Sequence, residues 1–306
     1  MESDNGSRPH VSIIVGVMEE KGIDTIFTLL ESFLPQQGDI TFEFFVIDKV
    51  NEQREKIYRS RFPWVTLIQT EKLMPESYSR NIALQYARGK IIVFTTDHCI
   101  FSAYYLKNLV TLFSGGYKIV GGSVENANPE IFFGWVQYFC EYNKWFPGLP
   151  DGNVEDLPGC NFAYDVELLK TIGPLPEGRF SLETFFHKKA RELGNKLYFS
   201  NNLEIMHLNE EKIWITWKER FLYGRLFAAR RCLPLWKRIA YIAFSPLIAL
   251  TEYFRIFLHS RHNPSYFKKF IQCTPLLLPT LFIWMAGECA GYLFGMKNLP
   301  EVSYIL

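Results

Sequence analysis

Residues 91–100 have the sequence Ile91-Ile92-Val93-Phe94-Thr95-Thr96-Asp97-His98-Cys99-Ile100. The apolar run at the start predicts a short buried strand, and the run ends at a carboxylic acid beside an imidazole. Open α/β sheets bind their ligands beyond the carboxyl ends of their strands, which is where Asp97 and His98 stand. The stretch therefore predicts a buried strand that carries two polar side chains, both able to bind a metal ion, to a ligand-binding cleft.

The rest of the first 207 residues predicts alternating strands and helices. Just upstream, residues 78–88 carry small and apolar residues on one helical face, and Gly89 is expected to close that helix. Further strands are predicted at 11–17, 41–48, 65–69, 118–122, 196–200 and 203–207, and further helices at 23–34, 52–61, 104–113, 166–172 and 182–194. Residues 125–158 are aromatic and predicted to be irregular. Such alternation indicates an α/β fold with a parallel, doubly wound sheet.

Composition limits the classes of protein that fit. The 306 residues allow one large domain, or a medium domain with an appendage. The formal net charge of +1 gives no reason to expect a nucleic acid partner. The six cysteines form no CxxC pair, which favours a reducing compartment over a disulfide framework. Residues 1–10 are polar and do not resemble a secretory signal.

The character of the chain changes after His207. Residues 214–232 are basic and amphipathic, whereas 239–258 and 271–294 are largely apolar. A membrane span needs about 20 apolar residues, a length that the last segment nearly meets and the preceding one meets marginally. Three interpretations remain open: a buried helical hairpin of a soluble protein, interfacial or re-entrant packing at a membrane, and a true span.

The order of these elements resembles that of the family 2 glycosyltransferases, which have the GT-A nucleotide-sugar fold. The resemblance covers residues 11–207 and continues more loosely to the end, where Ala286–Gly295 resembles the end of membrane-associated, bacterial-type members. It implies a GT-A-like, doubly wound mixed sheet flanked by helices, followed by an amphipathic and hydrophobic helical region. We therefore expect a polar tail at 1–10, a catalytic domain at 11–210 and a membrane-associated helical region at 211–306.

On the donor side, the resemblance rests on three short motifs. Val11–Val17 is similar to the family's opening strand, Ser79-Arg80-Asn81 to its Ala-Arg-Asn signature, and Thr96-Asp97-His98 to its Asp-x-Asp motif. Asp48 matches an acid that holds the uracil or ribose of the donor, although Lys49 replaces the acid that usually follows. The resemblance implies a set of donor-binding residues: Val17, Glu19, Asp48, Arg80, Asn81, Thr96 and Asp97.

The same resemblance implies a divalent metal, Mn²⁺ or Mg²⁺, held by Asp97, His98 and His207. A divalent cation neutralises a nucleotide diphosphate as it departs, and Mn²⁺ accepts imidazole ligands better than Mg²⁺ does. Adjacent side chains of an extended strand point to opposite faces, so we expect only one of Asp97 and His98 to bind the metal unless the chain turns there. Thr96 stands where the family has its first acid.

On the acceptor side, Gly159-Cys160-Asn161-Phe162-Ala163 is similar to the family's Gly-x-Asn-x-Ala motif. Leu182-Glu183-Thr184 takes the place of the Glu-Asp motif, which implies that Glu183 is the catalytic base that accepts the proton of the acceptor hydroxyl. Thr184 replaces the second carboxylate of that motif. The residues implied on the acceptor side are Gly159, Asn161 and Thr184.

Together these features imply an inverting glycosyltransferase that acts at the cytoplasmic face of a membrane. Its partners would be a nucleotide-sugar donor, a lipid-linked, polysaccharide or glycolipid acceptor, and the membrane, with a homo-oligomer as a further option. One alternative is a non-catalytic GT-A scaffold or binding subunit of a membrane glycan assembly, which the replaced acids favour. A nucleotidyltransferase is the other, but Val17–Lys21 offers no Gly-rich loop after the first strand.

Overall fold

The computed structural model describes residues 8–17, 23–36, 40–177 and 183–297. The chain divides into two compact units, which are described separately: unit 1 comprises Met1–Val124 and Pro150–Met206, and unit 2 comprises Glu125–Leu149 and His207–Leu306. The strands are β1 (Val11–Gly16), β2 (Phe42–Asp48), β3 (Val65–Gln69), β4 (Ile91–Thr96), β5 (Cys99–Phe101), β6 (Ile119–Asn126), β7 (Gly152–Val154), β8 (Phe162–Asp165) and β9 (Leu197–His207). The helices are α1 (Ile23–Ser32), α2 (Glu52–Arg61), α3 (Glu76–Leu84), α4 (Tyr105–Ser114), α5 (Phe132–Tyr142), α6 (Val166–Ile172), α7 (Glu183–Glu192), α8 (Ile213–Arg230), α9 (Leu235–Ala243), α10 (Ser245–Ser260) and α11 (Pro264–Phe294).

The strands form one mixed sheet in the order β3-β2-β1-β4-β8-β6-β9-β5, with β7 paired to β9. Strands β3, β2, β1 and β4 run parallel to one another, whereas β8 runs antiparallel to both β4 and β6. The expectation of a purely parallel sheet is therefore wrong, because strand–helix alternation does not record the direction in which a later strand returns. The mixed sheet flanked by helices is confirmed.

The register of the parallel strands brings their carboxyl ends to one edge. Gly16, the last residue of β1, pairs with both Ile47 of β2 and Thr96 of β4. Every residue of β1 and β4 is buried, as expected for central strands covered on both faces. Asp48, the last residue of β2, and Asp97, which follows β4, therefore lie at the same edge of the sheet.

Three local predictions differ from the structure. Helix α3 ends at Leu84, so Gly89 does not close it; a Cβ at Gly89 would lie 2.5 Å from the backbone nitrogen of Ser12, and the glycine permits that close approach. Residues 196–207 form one strand, β9, instead of two. The aromatic segment contains helix α5, because its rings recur at helical spacing and pack into the core of unit 2: Trp135, Tyr138, Phe139, Tyr142 and Phe146.

In unit 2, the long helix α11 packs closely along α8. By length and composition α11 can cross a membrane, but 39% of its most apolar window is buried in the protein, so it also serves as a core helix. Helices α9 and α10 meet the same criterion only as a pair, and they are bent by 63°. Many large apolar side chains of α9, of α10 and of the residue between them are exposed, including Leu235, Trp236, Ile239, Phe244, Leu247, Leu250, Phe254 and Leu258.

Candidate active site

The chain turns at Asp97 and His98, between β4 and β5. As a result their side chains lie together, with Asp97 Oδ1 2.7 Å from His98 Nδ1. The two side chains do not point to opposite faces of a strand, because the extended strand ends at Thr96. Burial alone would lower the pKa of His98, but the hydrogen bond and charge of Asp97 outweigh burial and raise this pKa to about 9. The turn thus presents a carboxylate and an imidazole side by side.

Asp48 is buried at the end of β2 and is held by helix α2. Arg54 Nε lies 2.7 Å from Asp48 Oδ2, and the hydroxyl of Tyr58 donates to the same oxygen at 2.8 Å. Burial raises the pKa of Asp48, Arg54 and Tyr58 oppose this shift, and the charge of Asp97 adds to it. No sequence motif contains Arg54 and Tyr58, but their i, i+4 spacing on an otherwise polar helix is a signal that points to them.

Arg80 is completely buried and connects the motifs of three elements. Its Nη1 lies 2.5 Å from Glu183 Oε1, and its Nη2 lies 2.5 Å from Glu76 Oε1 and donates to the carbonyl oxygen of Gly159 at 2.8 Å. Its guanidinium carbon also lies 5.5 and 5.3 Å from the ring centroids of Phe94 and Phe162. The packing on both rings and the several polar contacts give this guanidinium one defined position.

Glu76 is the second carboxylate on this guanidinium, and the sequence analysis did not identify it. Burial raises the pKa of Glu76, and the charge of Glu183 adds to the increase, whereas Arg80 opposes it. Arg80 thus faces two carboxylates, of which the sequence motifs include only Glu183.

Asn81 fastens the loop that follows α6. Its Nδ2 donates to the carbonyl oxygen of Leu175 at 3.0 Å, and the backbone nitrogen of Leu175 donates to its Oδ1 at 3.0 Å. Arg80 and Asn81 thus brace, from helix α3, the start of α7 and the loop at Leu175. These contacts make the Ser-Arg-Asn motif a support for Glu183, while its contact with a donor remains a prediction.

The residues predicted on the acceptor side occupy different environments. A Cβ at Gly159 would lie 3.0 Å from Glu183 Oε2, so Gly159 lies directly against that carboxylate. Asn161 is buried and ties strands together: it donates to the carbonyl oxygens of Ser123 and Leu203 at 3.2 and 2.7 Å, and accepts from Tyr105 at 2.8 Å. The hydroxyl of Thr184 donates to Asp156 Oδ2 at 2.8 Å.

The remaining predicted residues are placed as follows. Val17 is buried beyond β1 and its backbone nitrogen donates to Ile47, whereas Glu19 lies outside the described residues. Thr96 Oγ1 lies 3.1 Å from Cys99 Sγ. His207 is the last residue of β9 and belongs to unit 2, where its Nδ1 lies 3.2 Å from Asn209 Oδ1. The metal role of His207 therefore stays a prediction.

Solved structures share this fold. The mannosyltransferase PcManGT from Pyrobaculum calidifontis, in complex with GDP-Man and Mn²⁺, aligns with a TM-score of 0.60 at 15% identity over 96% of this chain and 88% of its own. S. aureus TarS 1–349 with UDP-GlcNAc aligns with a TM-score of 0.53 at 19% identity over 92% and 89% of the two chains. GalNAc-T7 with UDP, GalNAc and Mn²⁺ aligns with a TM-score of 0.53 at 14% identity over 67% of this chain, which spans only 44% of that one. At these identities the likeness establishes the GT-A fold.

Sequence comparison gives the family. No curated protein sequence matches the chain. The model of glycosyl transferase family 2 matches residues 12–173, which is more than half of the 306 residues and includes β2, β4 and the Ser-Arg-Asn, Asp-His and Gly-x-Asn motifs. The chain is therefore a glycosyltransferase that belongs to glycosyl transferase family 2.

Proposed function

We propose that this enzyme transfers a sugar, with inversion, from a nucleotide-diphosphate donor to a hydroxyl of a lipid-linked or glycan acceptor. The observation that carries the proposal is the ion pair between Arg80 and Glu183 beside Gly159. Arg80 Nη2 also lies 3.4 Å from the carbonyl oxygen of Thr95, two residues before Asp97. The positioned carboxylate thus belongs to the same sheet edge as the strand-end acids Asp48 and Asp97.

In this proposal Glu183 is the general base. As the acceptor oxygen forms its bond to the anomeric carbon, its proton passes to the Glu183 carboxylate. The bond between the anomeric carbon and the diphosphate oxygen breaks on the opposite face, which inverts the configuration. Arg80 holds Glu183 in one orientation, and orientation of a base toward its reaction partner is a large part of its contribution to the rate.

The donor set at the turn fits a divalent cation. The carboxylate of Asp97 and the imidazole of His98, after release of the proton that joins them, are ligand types that suit Mn²⁺ better than the harder Mg²⁺. Asp97 and His98 would hold the cation, and the metal role of His207 stays a prediction. When bound, the cation would neutralise negative charge on the departing nucleotide diphosphate. Two structural neighbours, PcManGT and GalNAc-T7, were solved with Mn²⁺.

We further propose that the enzyme is a membrane-associated, bacterial-type member that works at the cytoplasmic face. The exposed apolar side chains of α9 and α10 and the apolar character of α11 support contact with lipid. Six cysteines without a disulfide among the described residues suit a reducing compartment.

The experiment is a thermal-shift panel of nucleotide sugars with Mn²⁺ or with EDTA, followed by transfer assays with Glu183→Gln. We expect one donor to raise the melting temperature with Mn²⁺ and to do so less with EDTA, because a ligand that binds only the folded state stabilises it. Glu183→Gln should bind this donor like the wild type and lose about 10²–10⁴-fold in turnover, because the amide cannot accept the proton.

The matched control is Glu192→Gln, an exposed glutamate on the same helix, which should keep full turnover. Wild-type turnover in Glu183→Gln would remove Glu183 as the base. Equal shifts in melting temperature with Mn²⁺ and with EDTA would refute the metal site. The absence of a shift with any donor would favour the scaffold alternative.

A further inference from the structure

A second carboxylate stands at the first turn of α7, although no sequence motif contains it. Asp156, in the loop between β7 and β8, accepts from the Thr184 hydroxyl through Oδ2 at 2.8 Å. Its Oδ1 accepts from the backbone nitrogen of Leu157 at 3.0 Å and lies 2.7 Å from His187 Nδ1. Three separate groups therefore fix the orientation of this carboxylate.

His187 supports Asp156 from inside the protein. Its side chain is 0% exposed, and its ring packs against Phe162 and Tyr164 with centroids 5.0 and 6.1 Å away. Its Nε2 is buried without a hydrogen-bond partner among the described residues. A phenyl ring would suit such an aromatic pocket, and burying an unpaired ring nitrogen has a cost. What an imidazole adds here is therefore the hydrogen bond that positions Asp156.

Asp156 and Glu183 approach the same turn of the chain from two sides. The first and last residues of the segment from Asp156 to Gly159 both contact the first turn of α7: Asp156 contacts Thr184, and Gly159 contacts Glu183. The Asp156 side chain is 18% exposed, in contrast to the fully buried imidazole behind it. The carboxylate is thus oriented by buried groups and still reaches solvent beside the general base.

We propose that Asp156 binds a second hydroxyl of the acceptor while Glu183 takes the proton of the reacting one, and that His187 is the positioning residue of Asp156. The inference rests on the proposed function and names its acceptor class. An ionised carboxylate only accepts hydrogen bonds, so the acceptor group beside it must donate. The acceptor end is therefore a sugar or another polyol with neighbouring hydroxyls, and not the terminal phosphate of a lipid phosphate, which offers only acceptor oxygens and negative charge.

The test measures transfer from the donor that the wild-type enzyme binds, in Mn²⁺, to methyl hexopyranosides and to farnesyl phosphate. The wild type should use a glycoside and not farnesyl phosphate. Asp156→Asn should raise KM for the glycoside about 10- to 100-fold, the usual loss when a hydrogen bond to a charged group is removed. Donor binding and the slow hydrolysis of the donor by water should not change.

The positioning role of His187 is tested by two substitutions. His187→Phe fills the pocket without a donor and should raise KM as Asp156→Asn does, whereas His187→Asn can keep a donor near the position of Nδ1 and should restore part of the affinity. Asp151→Asn is the matched control, because Asp151 also accepts from a hydroxyl and a backbone nitrogen, those of Ser200 and Asn201, away from α7. This control should behave like the wild type.

Several outcomes overturn the inference. A wild-type KM in a folded Asp156→Asn variant would show that Asp156 does not bind the acceptor. If that variant does not fold, a wild-type KM in His187→Phe would refute the role of Asp156 equally. Transfer to farnesyl phosphate, or to neither acceptor by an enzyme that still hydrolyses its donor, would refute the acceptor class. An enzyme that neither binds nor hydrolyses any nucleotide sugar would refute the proposed function itself.

Discussion

At the scale of single residues, Arg80 joins parts of the site that are far apart in sequence. It contacts Glu183 across 103 positions and Gly159 across 79 positions, and it is fully buried while doing so. A buried guanidinium is stable only with such partners, because an unpaired charge in the interior is costly. Arg80, Glu183 and the loop at Gly159 are therefore joined by direct contacts, and we expect displacement of one to alter the positions of the others.

Gly159→Ala tests how closely Glu183 is held. The new Cβ would lie 3.0 Å from Glu183 Oε2 and 3.1 Å from its Cδ, so the carboxylate must shift by a few tenths of an ångström. The φ angle of Gly159 lies outside the left-handed region, so alanine brings no backbone strain. We expect turnover to fall about tenfold or more, because misplaced catalytic groups lose rate steeply. Steady-state kinetics measures the change in turnover, and urea unfolding measures any change in stability separately.

The control for this substitution is Gly134→Ala in α5. There the new Cβ meets its nearest neighbour at 3.4 Å, which is an ordinary contact. Alanine in a helix interior stabilises by up to about 1 kcal/mol relative to glycine, so this variant should be at least as stable as the wild type, with unchanged turnover. If Gly159→Ala retained full turnover, the close fit of loop and base would have no catalytic importance.

At the scale of elements, helices α8 and α11 approach closely because glycines line their interface. A Cβ at Gly287 would lie 2.1 Å from the carbonyl oxygen of Phe221, and one at Gly224 would lie 2.4 Å from that of Trp284. Gly291 has a similar contact with the carbonyl oxygen of Arg225, at 2.3 Å. Small residues spaced by four let two helix backbones pack side by side, in water as well as in lipid.

Gly287→Ala should therefore destabilise unit 2. The atom that it meets belongs to a helix backbone, which cannot move aside like a flexible side chain, so we expect a loss of about 1–3 kcal/mol or more in the free energy of unfolding. Urea unfolding followed by tryptophan fluorescence reports on this helix pair, which contains Trp217 and Trp284. Ala286→Ser, at the exposed neighbouring position, is the control. A variant within about 0.5 kcal/mol of the wild type would contradict the close packing.

The bounds of the helices and strands show which elements a local sequence pattern can predict. Strands at 65–69 and 91–96 and helices at 52–61 and 166–172 have the predicted bounds, because their apolar patterns or end signals are contained within each segment. Helix α5 was missed, although its rings have helical spacing, because the abundance of aromatic residues was interpreted as irregular structure. Strand β5 has only three residues and β8 only four, too short for a periodic signal.

At the scale of the whole molecule, the exposed apolar side chains of α9 and α10 are the basis of the membrane association that we propose. None of the residues of α9 is buried, and Lys237 and Arg238 lie between its apolar residues. A basic, apolar helix of this kind suits the interface of an anionic membrane. For this reason we propose interfacial association among the interpretations that the sequence left open.

Replacement of Leu235, Trp236 and Ile239 by serine should weaken binding to phosphatidylcholine vesicles that contain phosphatidylglycerol. Each side chain buries apolar surface in the interface, so the loss of three should reduce the partition coefficient about tenfold or more. Vesicle co-flotation measures it. Serine at Leu34, Tyr86 and Leu193, exposed apolar residues of unit 1, provides the control and should leave binding unchanged. Equal flotation of both triple variants and the wild type would exclude α9 as the membrane contact.

The sequence by itself determined the properties that depend on neighbours along the chain: the buried strands, most helices, the strand-end acids Asp48 and Asp97, and the family to which the motifs belong. The tertiary structure decided which side chains meet. The turn that joins Asp97 to His98, the ion pair of Arg80 with Glu183, and the contact of Asp156 with Thr184 depend on the order and direction of strands in the sheet. Hydrogen bonds between residues 28 or 103 positions apart leave no periodic trace in a sequence, because only folding brings their partners within 3 Å.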